Sequence, residues 1–132
     1  MNQTLLKYIR DGVKSNYTYA PSCQICDSVE NLELHHYATI YHLLEKFLKD
    51  NPMPQDTTER LVFREKFINL YWNELVVETV TLCESHHTLL HKLYGSRPEL
   101  YTSSKQKKWV ELQGLKQKGL YKPVSGLAKF KV

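Results

Sequence analysis

The sequence has only three cysteines in 132 residues, an odd number that argues against a disulfide scaffold and for a reducing compartment. It has no long apolar run, so no segment is suited to span a membrane. The amino terminus, Met1-Asn-Gln-Thr4, lacks the basic-then-apolar pattern of a secretion signal, and the expected location is the cytoplasm. Internal repeats and low-complexity tracts are missing too. The length suits one compact domain of modest core with an appended arm.

What the chain does have is concentrated in a few short motifs. Cys23-Gln-Ile-Cys26, Leu32-Glu-Leu-His35-His36 and Thr81-Leu-Cys83-Glu-Ser-His86-His87-Thr-Leu-Leu-His91 hold every cysteine and five of the six histidines. Thiolates and imidazoles converging from two backbone segments are what a metal ion requires. Cys23-x-x-Cys26 supplies two corners of a zinc tetrahedron, and Cys83-x-x-His86, with the same gap, supplies the other two in a closed structural site. His87 and His91 are left over. Four residues apart, they share one helical face and point at a second centre. Gly95, followed by Arg97-Pro98, is the expected stop of that helix.

The order Cys-x-x-Cys, Leu-x-Leu-His-His, Thr-Leu-Cys-x-x-His-His-x-x-x-His, over about residues 22–95, resembles the HNH endonucleases. These have a ββα-metal active site on a zinc-stapled scaffold. The resemblance implies an α+β fold, a small ββα-metal core with inserted helices, and hydrolysis of phosphodiester bonds in DNA. It implies that His36 is the general base and that His35 and His87 are ligands of a catalytic divalent metal. His91 resembles a third ligand or a contact to the scissile phosphate. An imidazole with an ordinary pKa near 6.5 accepts a proton from water around pH 7. The metal would stabilise charge on the phosphate and the leaving 3′ oxygen. Three histidine ligands suit Zn2+ or Ni2+ as well as Mg2+ or Mn2+. Two positions depart from the family pattern. The fourth zinc ligand is His86 where Cys is usual, and Val77 stands where the loop-bracing Asn is usual. Asn69 and Asn73 lie upstream of it, and Glu78 and Thr79 are neighbours able to hydrogen-bond in its stead.

Residues 4–14 carry Leu5, Leu6, Ile9 and Val13 on one helical face, with Gly12 weakening the last turn. Asn16 to Pro21 reads as an extended lead-in, with Tyr17 and Tyr19 packing on the zinc loops. Residues 31–37 alternate Leu32 and Leu34 with Glu33 and His35, the period of a strand. Adjacent side chains on a flat strand face opposite ways, so His35 and His36 reach one site only if the strand ends or bends there. A short helix over residues 41–49 is broken by Asn51-Pro-Met-Pro54. Asp56-x-x-Glu59 resembles a capping box opening a helix to about Glu74, with Leu61, Ile68, Trp72 and Leu75 on its inner face. Residues 76–82 suit the second strand. His42, outside every motif, is expected at the surface or in helix packing.

The charge is uneven. Residues 1–101, the expected nuclease domain, hold 10 Lys+Arg and 13 Asp+Glu, a net of −3. Residues 102–132, the expected basic arm, hold 8 Lys and one Glu, a net of +7, which together make the overall +4. Lys105, Lys107, Lys108, Trp109, Lys116 and Lys118 read as a basic DNA-contacting helix interrupted at Gly114, and Lys122, Lys129 and Lys131 continue a looser tail. Such lysines orient DNA and read little sequence. Trp109 stacks on a base or packs on the core. The alternatives from other classes are a non-catalytic zinc-stabilised nucleic-acid-binding module and a structural protein that binds a partner. A cutter of both strands with one active site needs a dimer or two successive nicks, so monomer and homodimer both remain open.

Overall fold

The computed structural model describes residues 2–120. Lys122, Lys129 and Lys131 of the expected tail lie outside them. The described chain runs α1 (Gln3–Lys14), β1 (Leu32–His36), α2 (Ile40–Asp50), α3 (Thr57–Leu70), a π-turn (Asn73–Val77), β2 (Thr79–Cys83), α4 (Glu84–Tyr94), a 3-10 turn (Leu100–Thr102) and α5 (Ser103–Gln117). β1 and β2 form one antiparallel two-stranded sheet, in register from Leu32 opposite Cys83 to His36 opposite Thr79. With α4 directly following β2, the core is a ββα unit, and α2 and α3 are inserted between its strands. The fold is α+β. No helix among the described residues is long and apolar enough to cross a membrane.

A two-stranded ribbon alone is marginal in water, and two apolar clusters support this one. The first unites Leu5, Leu6, Ile9 and Val13 of α1 with α2, α3 and Leu75 of the π-turn. Phe47 meets Phe63 and Phe67 edge-to-face, with centroids 5.0 and 5.5 Å apart. The second packs Cys23 and Ile25 of the knuckle against Leu82, Leu90 and Val110.

Local chemistry explains the helix ends. The Asn2 carboxamide accepts from the backbone N–H groups of Thr4 and Leu5 and opens α1. Asp56 accepts from Glu59 N–H at 2.8 Å, and the Glu59 carboxylate reaches back to Gln55 N–H, so the capping box forms. Gly12 does not fray α1. It is buried because the Arg64 side chain occupies the space a Cβ would need.

Three further expectations about individual elements differ from the structure. α3 ends at Leu70, and its inner face is Phe63, Phe67 and Ile68, while Leu61 and Trp72 are exposed. A π-turn carries an extra residue per turn and shifts the helical phase ahead of Leu75. The second strand starts at Thr79 because that turn occupies Val76 and Val77. α5 runs unbroken through Gly114, which is buried beside the Gln24 carbonyl.

Candidate metal centres and active site

Two clusters of donor atoms form beside the ribbon. In the first, the knuckle turns through Asp27, whose φ is +61°, and Ile25 N–H lies 3.4 Å from Cys23 Sγ. Gln24 N–H donates to the Thr81 carbonyl, which ties the knuckle to β2. Cys83 ends β2 and His86 lies in the first turn of α4, so both face the knuckle. The donors are Cys23, Cys26, Cys83 and His86, all mutually within 4.8 Å. Cys26 Sγ and Cys83 Sγ are 3.8 Å apart; the His86 Nδ1 distances are 3.3 Å to Cys83 and 3.9 Å to Cys23. Metal–sulfur bonds of about 2.3 Å in a tetrahedron give a sulfur–sulfur edge of about 3.8 Å. This cluster could hold a tetrahedral metal ion.

The second cluster is His35, His87 and His91. His35 Nδ1 and His91 Nε2 each lie 3.1 Å from His87 Nε2. The outer nitrogen of every ring is already committed. His87 Nδ1 donates to the Glu33 carboxylate at 2.7 Å, and His91 Nδ1 donates to the Gly95 carbonyl at 2.8 Å. His35 Nε2 lies 2.7 Å from Gln106 Oε1. The Gln106 amide is fixed in turn, because its Nε2 faces the Tyr37 carbonyl and the Thr102 hydroxyl, whose proton goes to the Glu99 carbonyl. With the outer nitrogens donating, the inner nitrogens His35 Nδ1, His87 Nε2 and His91 Nε2 turn toward one another as candidate donor atoms. A cation would satisfy all three, and ligand edges near 3.1 Å match metal–nitrogen bonds of about 2.0–2.1 Å. Burial pushes the His35 imidazole down to about 3, against the pull of Gln106 and with the help of His87 and His91.

His36 sits on the other side of the strand. Its Nε2 donates to the Leu75 carbonyl at 2.9 Å, leaving Nδ1 as a lone pair. Leu75 lies in the π-turn, whose final carbonyls lack intrahelical partners. Burial lowers the His36 pKa against the Leu75 hydrogen bond, and the charges of Arg10 and His87 lower it further. Tyr17 packs on the ring with centroids 5.3 Å apart. The strand does not end before this pair, yet both histidines border one cavity of about 450 Å³ together with His87 and His91. β1 has a partner on one edge only, and residues of both of its faces line the cavity.

Around Val77, where the HNH resemblance leads to an expected Asn, Glu78 N–H donates to the Asn73 carbonyl and the Thr79 hydroxyl lies 3.4 Å from the Val76 carbonyl. His42 joins α2 to the segment after α4 through the Arg97 carbonyl, and Glu45 of the same helix holds its other ring nitrogen. On α5, Lys105, Lys108, Lys116 and Lys118 are exposed. Lys107 is ion-paired with Glu78, and Trp109 packs against the second apolar cluster.

Glu33, Gln106 and the carbonyls of Leu75 and Gly95, which orient these rings, belong to none of the sequence motifs' candidate ligands. Glu33 had a signal, since the two-residue period places it on the face of His35.

A family model described as the nicking endonuclease family, of the phage T5 type, matches residues 2–121. No solved structure matches the chain. The match covers both donor clusters, His36 and α5, so the chain belongs to the phage T5 nicking endonuclease family and is a DNA endonuclease.

Proposed function

We propose that this endonuclease is of the HNH type and hydrolyses a phosphodiester bond in one DNA strand, with His36 as general base. The observation that carries the reading is the convergence of three imidazole lone pairs beside a fourth histidine oriented by a backbone carbonyl, all on one cavity. Cys23, Cys26, Cys83 and His86 hold a structural zinc that staples the knuckle to β2 and α4. His35, His87 and His91 hold the catalytic divalent ion (Mg2+, Mn2+, Ni2+ or Zn2+).

When bound, that ion stabilises negative charge on the phosphate and the departing 3′ oxygen. The residues of the chain do the rest. The Leu75 carbonyl keeps the His36 proton on Nε2, so Nδ1 receives the proton of the attacking water. Burial keeps the ring neutral and ready to accept it. Glu33, Gln106 and Gly95 hold the three ligand rings in the tautomers that expose their inner nitrogens. Exposed Lys105, Lys108, Lys116 and Lys118 on α5 contact the phosphates of the flanking duplex. Lys107 is held in part by Glu78, and Trp109 serves the core.

Nicking of supercoiled plasmid by full-length protein, with each divalent metal added in turn, tests this reading. Metal-dependent conversion to relaxed circles is expected, and it should be lost in His87→Ala. DNA binding without any cleavage in all four metals would instead make the chain a non-catalytic zinc-stabilised binding module.

A further inference from the structure

Sequence alone assigns the positive charge of this chain to residues 102–132, but the histidine cavity is bordered by no residue of α5. α5 borders a different cavity, of about 640 Å³, through residues that include Lys107 and Lys118. The cations that border the histidine cavity are Lys7, Arg10 and Lys14 of α1. Their spacings of three and four residues set them on one helical face, over about 10 Å of axis. Lys7 is paired with Asp11 at 2.9 Å. Among the described residues, Arg10 and Lys14 have no ion pair or side-chain hydrogen bond, and both are exposed. Asp11 also borders the cavity, bonded to Lys7 and within the field of Lys14, so three cations stand against one carboxylate beside the four imidazoles, in a region whose overall charge is negative. Like charges gathered in this way are suited to an anion that arrives from outside.

We propose that Lys7, Arg10 and Lys14 form a phosphodiester-binding rail that grips the backbone of the DNA strand being cut, within the cavity that His36 borders. This rests on the nuclease reading above. One strand of duplex carries a phosphate every ~3.4 Å of helix axis, so the rail spans about three of them. The Arg10 guanidinium suits two oxygens of one phosphate, while Lys14 supplies a point charge. Contacts of this kind set the position of the strand against His36 and carry no base information. In this arrangement the lysines of α5 serve the flanking duplex and α1 serves the phosphates beside the cut.

The test uses full-length protein, a fluorescently labelled DNA duplex and no added divalent metal, so that binding is read without cleavage. Affinity is measured over a salt series for the parent, for Arg10→Gln/Lys14→Gln, and for Lys46→Gln/Lys49→Gln. The last makes the same charge change at exposed positions of α2. Glutamine is a good helix former, and a matching melting temperature confirms that each variant is folded. Each phosphate contact contributes about −0.9 to the slope of log K against log salt, so the α1 variant is expected to flatten it by about 1.8 units. Its low-salt affinity should fall about tenfold or more, and the α2 variant should keep the parental slope. An α1 variant with the parental slope, or an α2 variant with the same loss, overturns the proposal. The nuclease reading is judged separately by plasmid nicking: a slope loss in the α1 variant together with a parent that never nicks would sink that reading and leave a DNA-binding rail standing.

Discussion

Gln106→Leu isolates the hydrogen-bond chain that aims His35. The parental amide accepts from His35 Nε2 and donates to the Tyr37 carbonyl and the Thr102 hydroxyl. Leucine fills a similar volume and can do neither. His35 is 2% exposed, so its outer N–H would lie buried without an acceptor, at a cost of about 1–3 kcal/mol. The ring escapes part of that cost by moving its proton to Nδ1, which points an N–H at the His87 lone pair and blocks the metal position. Loss of a hydrogen-bond partner behind a ligating histidine typically costs about 10–100-fold in metal affinity, or about 1.4–2.8 kcal/mol. Calorimetric titration of Mn2+ or Ni2+ into protein that retains its structural metal reads this directly, with thermal melting as the check on stability. Gln106→Glu keeps an acceptor facing His35 and should hold affinity within about tenfold of the parent, although it loses its donors to Tyr37 and Thr102. A Gln106→Leu protein that binds the ion at parental affinity refutes the reasoning.

The remaining expectations concern the staple, one turn and one clamp. Cys26→Ser should lose the zinc found at one per chain in the parent and lower the melting temperature sharply, because metal binding in a small site is folding energy; elemental analysis and melting check this, and a zinc-free parent or unchanged melting refutes it. Gly95→Ala meets no atom within 4 Å, so its cost comes from the backbone, where φ is +93°. About 1–3 kcal/mol of stability should be lost, together with metal affinity, because the Gly95 carbonyl orients His91. For His42, burial opposes protonation, but the Arg97 carbonyl, Glu45 and Glu99 outweigh it and raise the pKa. The contribution of this clamp to stability is therefore fully present below about pH 6.5 and lost as pH rises through the raised value. His42→Gln should remove that small pH dependence of melting, small because the Glu45 and Glu99 side chains are largely exposed.

The two donor clusters were legible because Cys and His at two- and three-residue gaps have few other reasons to gather. Their supports were not. Gln106 lies 71 residues from His35 in sequence and was masked by the lysines around it. The Leu75 and Gly95 groups are backbone carbonyls, which no side-chain pattern announces. α3 has apolar residues on both faces, with Leu61, Val62 and Leu70 exposed, so periodicity offered two phases, and the π-turn shifted the true one before Leu75. Net charge pointed to the carboxyl-terminal lysines and concealed α1, whose cations are outnumbered in sequence by distant acidic residues.

The most direct test of the central claim is the single-turnover nicking rate of His36→Ala against the parent, at equal metal content and saturating DNA. Removal of a general base should slow cleavage by about 10²–10⁴-fold while metal stoichiometry and DNA affinity stay at parental levels. An alanine variant that nicks at the parental rate would remove His36 from the chemistry and contradict the account.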